Sequence, residues 1–191
     1  MSFIMNRAVV SGSYAPSMAL ERKLDAYDRD RRALLDEADA LDPILLSFRH
    51  RVGAWSIIEI LEHLALAERA VLQNLPEPSR LEAQEPDFRQ RVAYAVVTFM
   101  LRLRIPVRVP SPEMVPMGER SLLDVRRIWD ENARWLRAYV AHGQGLEKPV
   151  FQHPVAGPMT VSQAVRAARL HLAVHRRQIW RILEHPPVWE P

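Results

Sequence analysis

Glycine and proline are placed so that they cut this chain into long stretches containing neither. Residues 17–41, 55–75, 87–104, 120–141 and 161–184 are free of both, and the segments around them hold all 15 prolines and all 6 glycines. A proline inside a helix removes a hydrogen bond and clashes with the preceding turn, at a cost of about 3 kcal/mol. A chain punctuated in this way has room for long helices and little room for anything else.

The apolar pattern agrees. Leu20, Leu24, Tyr27, Leu34, Leu35 and Leu41 recur at a period near 3.6 in the first stretch, which Asp42-Pro43 ends. Ile57, Ile60, Leu61, Leu64, Ala67 and Val71 mark one stripe of the second. The stretch 87–104 is the least regular. Ser121 with Asp124 three residues on reads as a capping box opening the next helix, with Asp in place of the usual Glu. Thr160 caps the last helix, which stops at Pro186-Pro187. No repeat or low-complexity tract interrupts the series. These features predict an all-α, up-and-down four-helix bundle built from 17–41, 55–75, 120–141 and 161–184. Residues 87–104 are expected as an additional helix or a helical excursion. The proline- and glycine-rich segments 105–118 and 143–159 are expected to run over the ends and shape a pocket mouth. The whole of 1–191 reads as one domain, with 1–16 an N-terminal segment and 186–191 a C-terminal tail.

Composition removes several classes of function. Apolar residues make up 48% and charged residues 26%, enough to build a core and too balanced for wholesale disorder. There is no cysteine, so disulfides, thiolate metal sites and a cysteine nucleophile are all excluded. The charge is uneven: residues 1–95 carry 12 basic and 15 acidic groups, and 96–191 carry 14 and 8. That makes the C-terminal half attractive to anions or acidic partners, but no basic run exceeds two residues, which argues against a nucleic-acid arm. Ala8-Val9-Val10 is too short an apolar stretch for a signal peptide, and Val92 to Leu101 is half a membrane span. The expectation is a soluble, cytoplasmic protein.

Chemistry is most legible in the histidines. Of seven, His50, His142, His153 and His185 fall in connections or beside helix ends. In the last helix the apolar row Val161, Ala164, Ala168 continues through His171 and His175 to Ile179 and Ile182. Two imidazoles thus occupy a core-facing row one turn apart, where both can reach one ion or bond to buried polar groups. His63 lies at the edge of the second helix's stripe and can face the pair if the two helices are neighbours. Three neutral imidazoles would leave a metal with open positions, as a catalytic site requires.

The run Trp55-Ser56-Ile57-Ile58-Glu59-Ile60-Leu61-Glu62-His63-Leu64 resembles the signature of the DinB/YfiT-like superfamily, which opens its second helix with Trp-Ser and carries a histidine eight residues after the Trp. His153-Pro154-Val155-Ala156-Gly157-Pro158-Met159-Thr160 is similar to that family's approach to its final helix, apart from the small Ala156. His171-Leu172-Ala173-Val174-His175-Arg176-Arg177-Gln178-Ile179 resembles its His-x-x-x-His-x-x-Gln-Ile run. The resemblance implies a four-helix bundle that binds a divalent metal through His63, His171 and His175. Zinc suits three imidazoles, and nickel, iron or manganese would be accepted by the same ligands. Among that family are transferases using low-molecular-weight thiols. The resemblance therefore implies a small-molecule transferase using a metal-activated exogenous thiol. The alternatives are a metal-dependent hydrolase and a non-catalytic metal-binding stress or sensing protein. A homodimer through a helix face is also implied.

Other side chains have smaller claims. Glu59, one turn before His63, reads as a solvated carboxylate, or else as an acceptor behind a ligand or a proton carrier. Gln178 can orient a ligand or cap a polar edge. Trp55 reads as core. Arg166, Arg169, Arg176, Arg177 and Arg181 read as a solvated face, with anion steering as the alternative.

Overall fold

The structure is a computed structural model that describes residues 18–75, 86–103, 111–142, 146, 148–149, 151–153 and 156–185. The expected N-terminal segment 1–16, the tail 186–191 and parts of both long connections lie outside the described residues. The described residues form six α-helices: α1 (Met18–Asp39), α2 (Pro43–Ser47), α3 (Ile57–Gln73), α4 (Phe88–Leu103), α5 (Leu122–His142) and α6 (Val161–Leu183). Among the described residues, no helix is long and apolar enough to cross a membrane.

The helix starts follow from side chains that satisfy free N–H groups. Ser56 and Glu59 form a reciprocal capping box on α3, and Thr160 and Gln163 form another on α6. The Ser121 hydroxyl donates to Asp124 Oδ2 at 2.6 Å and accepts from the Asp124 N–H at 3.1 Å, so Asp does serve in the usual place of Glu. Asp42-Pro43 both ends α1 and starts the one-turn α2: the Asp42 carboxylate accepts from the Ile44 N–H at 2.7 Å, and Pro43 takes the first helical position.

α3 packs against α5 and α6, and α1 packs against the same two helices from the other side. These four make the bundle. Leu34, Leu35, Ile57, Ile60, Leu61, Val125, Trp129, Val140 and Val161 are fully buried between them. Burying each large apolar side chain contributes roughly 1.5–3 kcal/mol. α4 is the additional helix, docked on α6 and on a small β-hairpin.

That hairpin was not expected. β1 (Phe151–His153) pairs antiparallel with β2 (Gly157–Met159), Phe151 opposite Met159 and His153 opposite Gly157. Strands of three residues are too short to show alternation, and the prolines around them read as loop. Gly157 has φ of +70°, and a Cβ there would come within 3.0 Å of Gln90 Cγ on α4. Gly157→Ala is expected to lower stability by about 1–3 kcal/mol, through left-handed strain and a crowded α4 contact. A urea midpoint identical to wild type would exclude this.

The charge asymmetry has an internal explanation. α1 is rich in acids, and the C-terminal helices turn arginines toward it. Arg137 on α5 donates to Asp25 and Asp28 at 2.6–2.8 Å, and Arg126 bridges Asp36 and Asp39. The buried Arg31 on α1 reaches Asp130 on α5 at 2.6 Å. On α6, Arg169 pairs with Asp30 at 2.5 Å and Arg176 with Glu37, so two arginines of the supposed solvated face tie α6 to α1. Arg166, Arg177 and Arg181 are exposed.

Candidate metal centre

Two caps set the phase of the site. Ser56 starts α3 two turns before His63, and Thr160 starts α6 three turns before His171. Because α3 packs directly on α6, the stripe edge carrying His63 meets the row carrying His171 and His175. His171 Nε2 lies 3.4 Å from His63 Nε2 and 3.0 Å from His175 Nε2, and one nitrogen of each ring lies within 4.8 Å of the other two. Tetrahedral coordination with metal–nitrogen bonds of about 2.0–2.1 Å places ligand nitrogens about 3.3 Å apart. The rings fit a single divalent ion, and among the described residues no carboxylate joins them.

The far side of each outer ring is fixed. His63 Nδ1 donates to the Met114 carbonyl at 2.7 Å, and His175 Nδ1 donates to Gln178 Oε1 at 3.0 Å. A carbonyl oxygen only accepts, so both protons sit on Nδ1 and both Nε2 lone pairs face His171. One proton on His171 Nε2 can satisfy only one of them. Electron density concentrated in this way calls for a cation. Burial, followed by repulsion from His175, His63 and His153, holds His171 well below the ordinary histidine pKa. Burial and then the His63 charge bring His175 down to about 4, against the opposing Gln178 bond. Burial also lowers His63, despite its Met114 bond. All three are therefore neutral at pH 7, the form that binds metal.

Around the rings, Gln178 orients His175, one of the two roles the sequence allowed it. Trp55 packs on the core and also against the rings, its centroid 4.8 Å from that of His63 and 6.5 Å from that of His175. Glu59 is neither solvated nor placed behind a ligand. It is buried, accepts from the Ser56 N–H at 2.8 Å, and pairs with Arg49 at 2.5 Å. Burial raises its pKa, but the Ser56 and Arg49 bonds outweigh that and hold it below the usual carboxylate value. Glu62, which the sequence did not single out, does the supporting work. Fully buried, it accepts from the Gly118 N–H at 3.1 Å, the Met117 N–H at 3.3 Å and Arg120. These bonds hold the segment after Met114 against α3, and Met114 is the residue whose carbonyl orients His63.

His63 and His171 also line a cavity of about 170 Å³ bounded by α1, α3, α4, α5, α6 and the hairpin. Its wall is overwhelmingly apolar, with Leu101, Met114, Phe151 and Met159 among the larger contributors. Glu68, Tyr27 and His153 are its other polar lining residues. His153 Nδ1 accepts from the Ala156 N–H at 3.0 Å, closing the hairpin turn. Neither Glu68 nor His153 could be placed at a cavity by periodicity, because five helices and the hairpin build its wall.

Residues 26–179 match the model of the DinB superfamily. The crystal structure of TT2238, a four-helix bundle protein, is 24% identical, with 85% of this chain and 96% of that chain covered at a TM-score of 0.47. No curated protein is significantly similar to the sequence.

Proposed function

Since the chain belongs to the DinB superfamily, we propose that it is a metal-dependent enzyme acting on a small molecule, with His63, His171 and His175 holding one divalent ion. The observation that carries this reading is the convergence of three Nε2 atoms whose outer two rings already have their Nδ1 protons engaged. Zinc suits the set best, and nickel, iron and manganese are the other candidates. Bound there, the ion would supply a Lewis acid with full positive charge, able to acidify an added ligand atom. The chain's own residues do the rest. Met114 and Gln178 fix ring orientation, Trp55 covers two rings, and the apolar cavity excludes water from a compact substrate.

The reaction supported best is transfer by an activated thiol. With no cysteine in the chain, the thiol must come from outside. An apolar wall favours transfer over hydrolysis, because hydrolysis needs water beside the substrate. A three-ligand set beside a cavity favours catalysis over a purely structural ion, which is usually closed by four protein ligands. The absence of cysteine also suits a reducing compartment, and we place the protein in the cytoplasm. Incubation with a low-molecular-weight thiol and an electrophilic acceptor is expected to give turnover that requires both thiol and metal. Undiminished hydrolysis without thiol would replace transfer, and activity surviving loss of all three histidines would remove the mechanism.

Two further expectations follow from this site and its surroundings. Glu62→Ala should weaken metal binding about 10–100-fold by releasing the segment behind His63, the usual effect of removing a group that orients a ligand. Competition with a chromophoric chelator measures it, and unchanged affinity would refute the role. Phe88, Val92, Val96, Phe99 and Leu103 lie exposed along one face of α4, an apolar stripe that fits a second copy of the chain. Light scattering is expected to give twice 22.0 kDa for the wild type, and 22.0 kDa for Val96→Asp. A wild-type mass of 22.0 kDa would dispose of the dimer.

A further inference from the structure

Alanines stand beside both histidines that face the cavity. Ala67 lies one turn after His63 on α3, and Ala167 and Ala168 lie one turn before His171 on α6, with Ala164 a turn further on. All four line the cavity. Side chains one turn apart share a helix face, so each helix withdraws its bulk next to its own histidine. Elsewhere on the same row of α6, Val161 and Ile179 are large and buried. Interiors pack to the density of organic crystals, and a gap of this size beside three convergent imidazoles is a place for an occupant. Its volume of about 170 Å³ is close to that of cavities known to admit benzene, roughly 150 Å³. From His171 to Ala164 it follows about 10 Å of helix.

The wall has no free partner for a charge. Among the described residues no lysine or arginine lines the cavity. The Glu68 carboxyl has its Oε2 taken by the Tyr27 hydroxyl at 2.7 Å and by Trp129 Nε1, and its Oε1 is buried. A charged body entering here would lose its water and meet no counter-charge, a penalty that apolar contact does not repay. We propose that the cavity takes an uncharged, apolar body the size of one six-membered ring, lying over Ala67 and Ala168 with its reacting end toward His63 and His171. The inference rests on the cavity being the substrate site and adds the substrate's chemical class. The basic excess of the C-terminal half does not select this substrate, since Arg137 and Arg169 pair with acids of α1 instead.

The test uses zinc-loaded full-length protein labelled with ¹³C in its methionine methyl groups. Met114 and Met159 line the cavity, and the exposed Met18 is the control. Toluene is expected to shift the Met114 and Met159 signals and leave Met18 in place. Benzylamine, protonated at neutral pH, and benzenesulfonate, titrated with the metal chelated so that no ion can hold it, should bind there at least about 100-fold more weakly. Ala168→Leu fills the space beside His171 and should weaken toluene about 10-fold or more. Unchanged toluene affinity in folded Ala168→Leu would place the ring elsewhere and overturn the proposal. Should that variant fail to fold, the wild-type signals decide, and toluene that leaves Met114 and Met159 unmoved overturns it. A charged probe that shifts both signals as tightly as toluene defeats the uncharged class alone and keeps the cavity as a ligand site. Failure of all three probes defeats the substrate-cavity reading together with it.

Discussion

His171→Ala protein is expected to retain no more than a trace of the divalent metal that copurifies with the wild type, while keeping its helical circular dichroism. His171 is the middle member of the cluster, 3.4 Å from one partner nitrogen and 3.0 Å from the other, so its removal leaves two nitrogens and, among the described residues, no third ligand. Losing a group that merely orients a ligand costs about 10–100-fold in affinity, and losing the ligand itself should exceed the upper end of that range. Elemental analysis of both proteins, purified side by side at one ion per wild-type chain, measures the effect. The exposed His50 supplies the control, since His50→Ala should retain the ion in full. Equal metal in wild type and His171→Ala would end the metal reading.

The second large effect is acid destabilisation of the metal-free protein. His63, His153, His171 and His175 all have pKa values lowered by burial, His175 to about 4. Between the unfolded value near 6.5 and these folded values, the unfolded chain binds protons that the folded chain refuses. Stability is therefore complete above about pH 6.5 and is lost as the pH falls toward 4. His175 alone accounts for about 3 kcal/mol over that interval. Glu68 acts in the opposite sense: raised to about 7, it binds its proton earlier when folded and stabilises as the pH falls from 7 toward 4.5. Four imidazoles outweigh one carboxyl. The melting temperature in chelator is expected to drop on the order of 10 °C between pH 7 and pH 5. The drop should steepen in Glu68→Gln and flatten in His175→Gln. A melting temperature that stays level over this range would show that the rings are not held in their neutral form. Added metal should delay the loss, because the ion must be displaced before the rings can protonate.

The fold was largely legible because its determinants are local. Proline and glycine placement bounded the long helices to within a few residues, Ser121 and Thr160 marked two of their starts, and Trp55-Ser56 marked a third only through the resemblance. What escaped was short. α2 and the hairpin span fewer residues than a periodicity needs, and Asp42-Pro43 ends one helix by the same chemistry that begins another. Glu59 was misjudged because its position one turn before His63 is equally its position three residues after Ser56, and the cap claimed it. The arginines of α6 looked solvated because their partners, Asp30 and Glu37, lie far away in sequence on α1.

By itself, the sequence determined the five long helices, the caps at Ser121 and Thr160 and the row that carries His171 and His175, since each depends on residues within a turn or two of one another. It also marked His63 as the third member, on the resemblance and on its place at a stripe edge. Only the tertiary structure decided that α3 lies against α6, that Glu62 holds the segment behind His63, and that Glu68 meets Tyr27 and Trp129 at a cavity wall. Those facts join residues from different helices, and helix-to-helix contact depends on how whole faces pack, which no local spacing encodes.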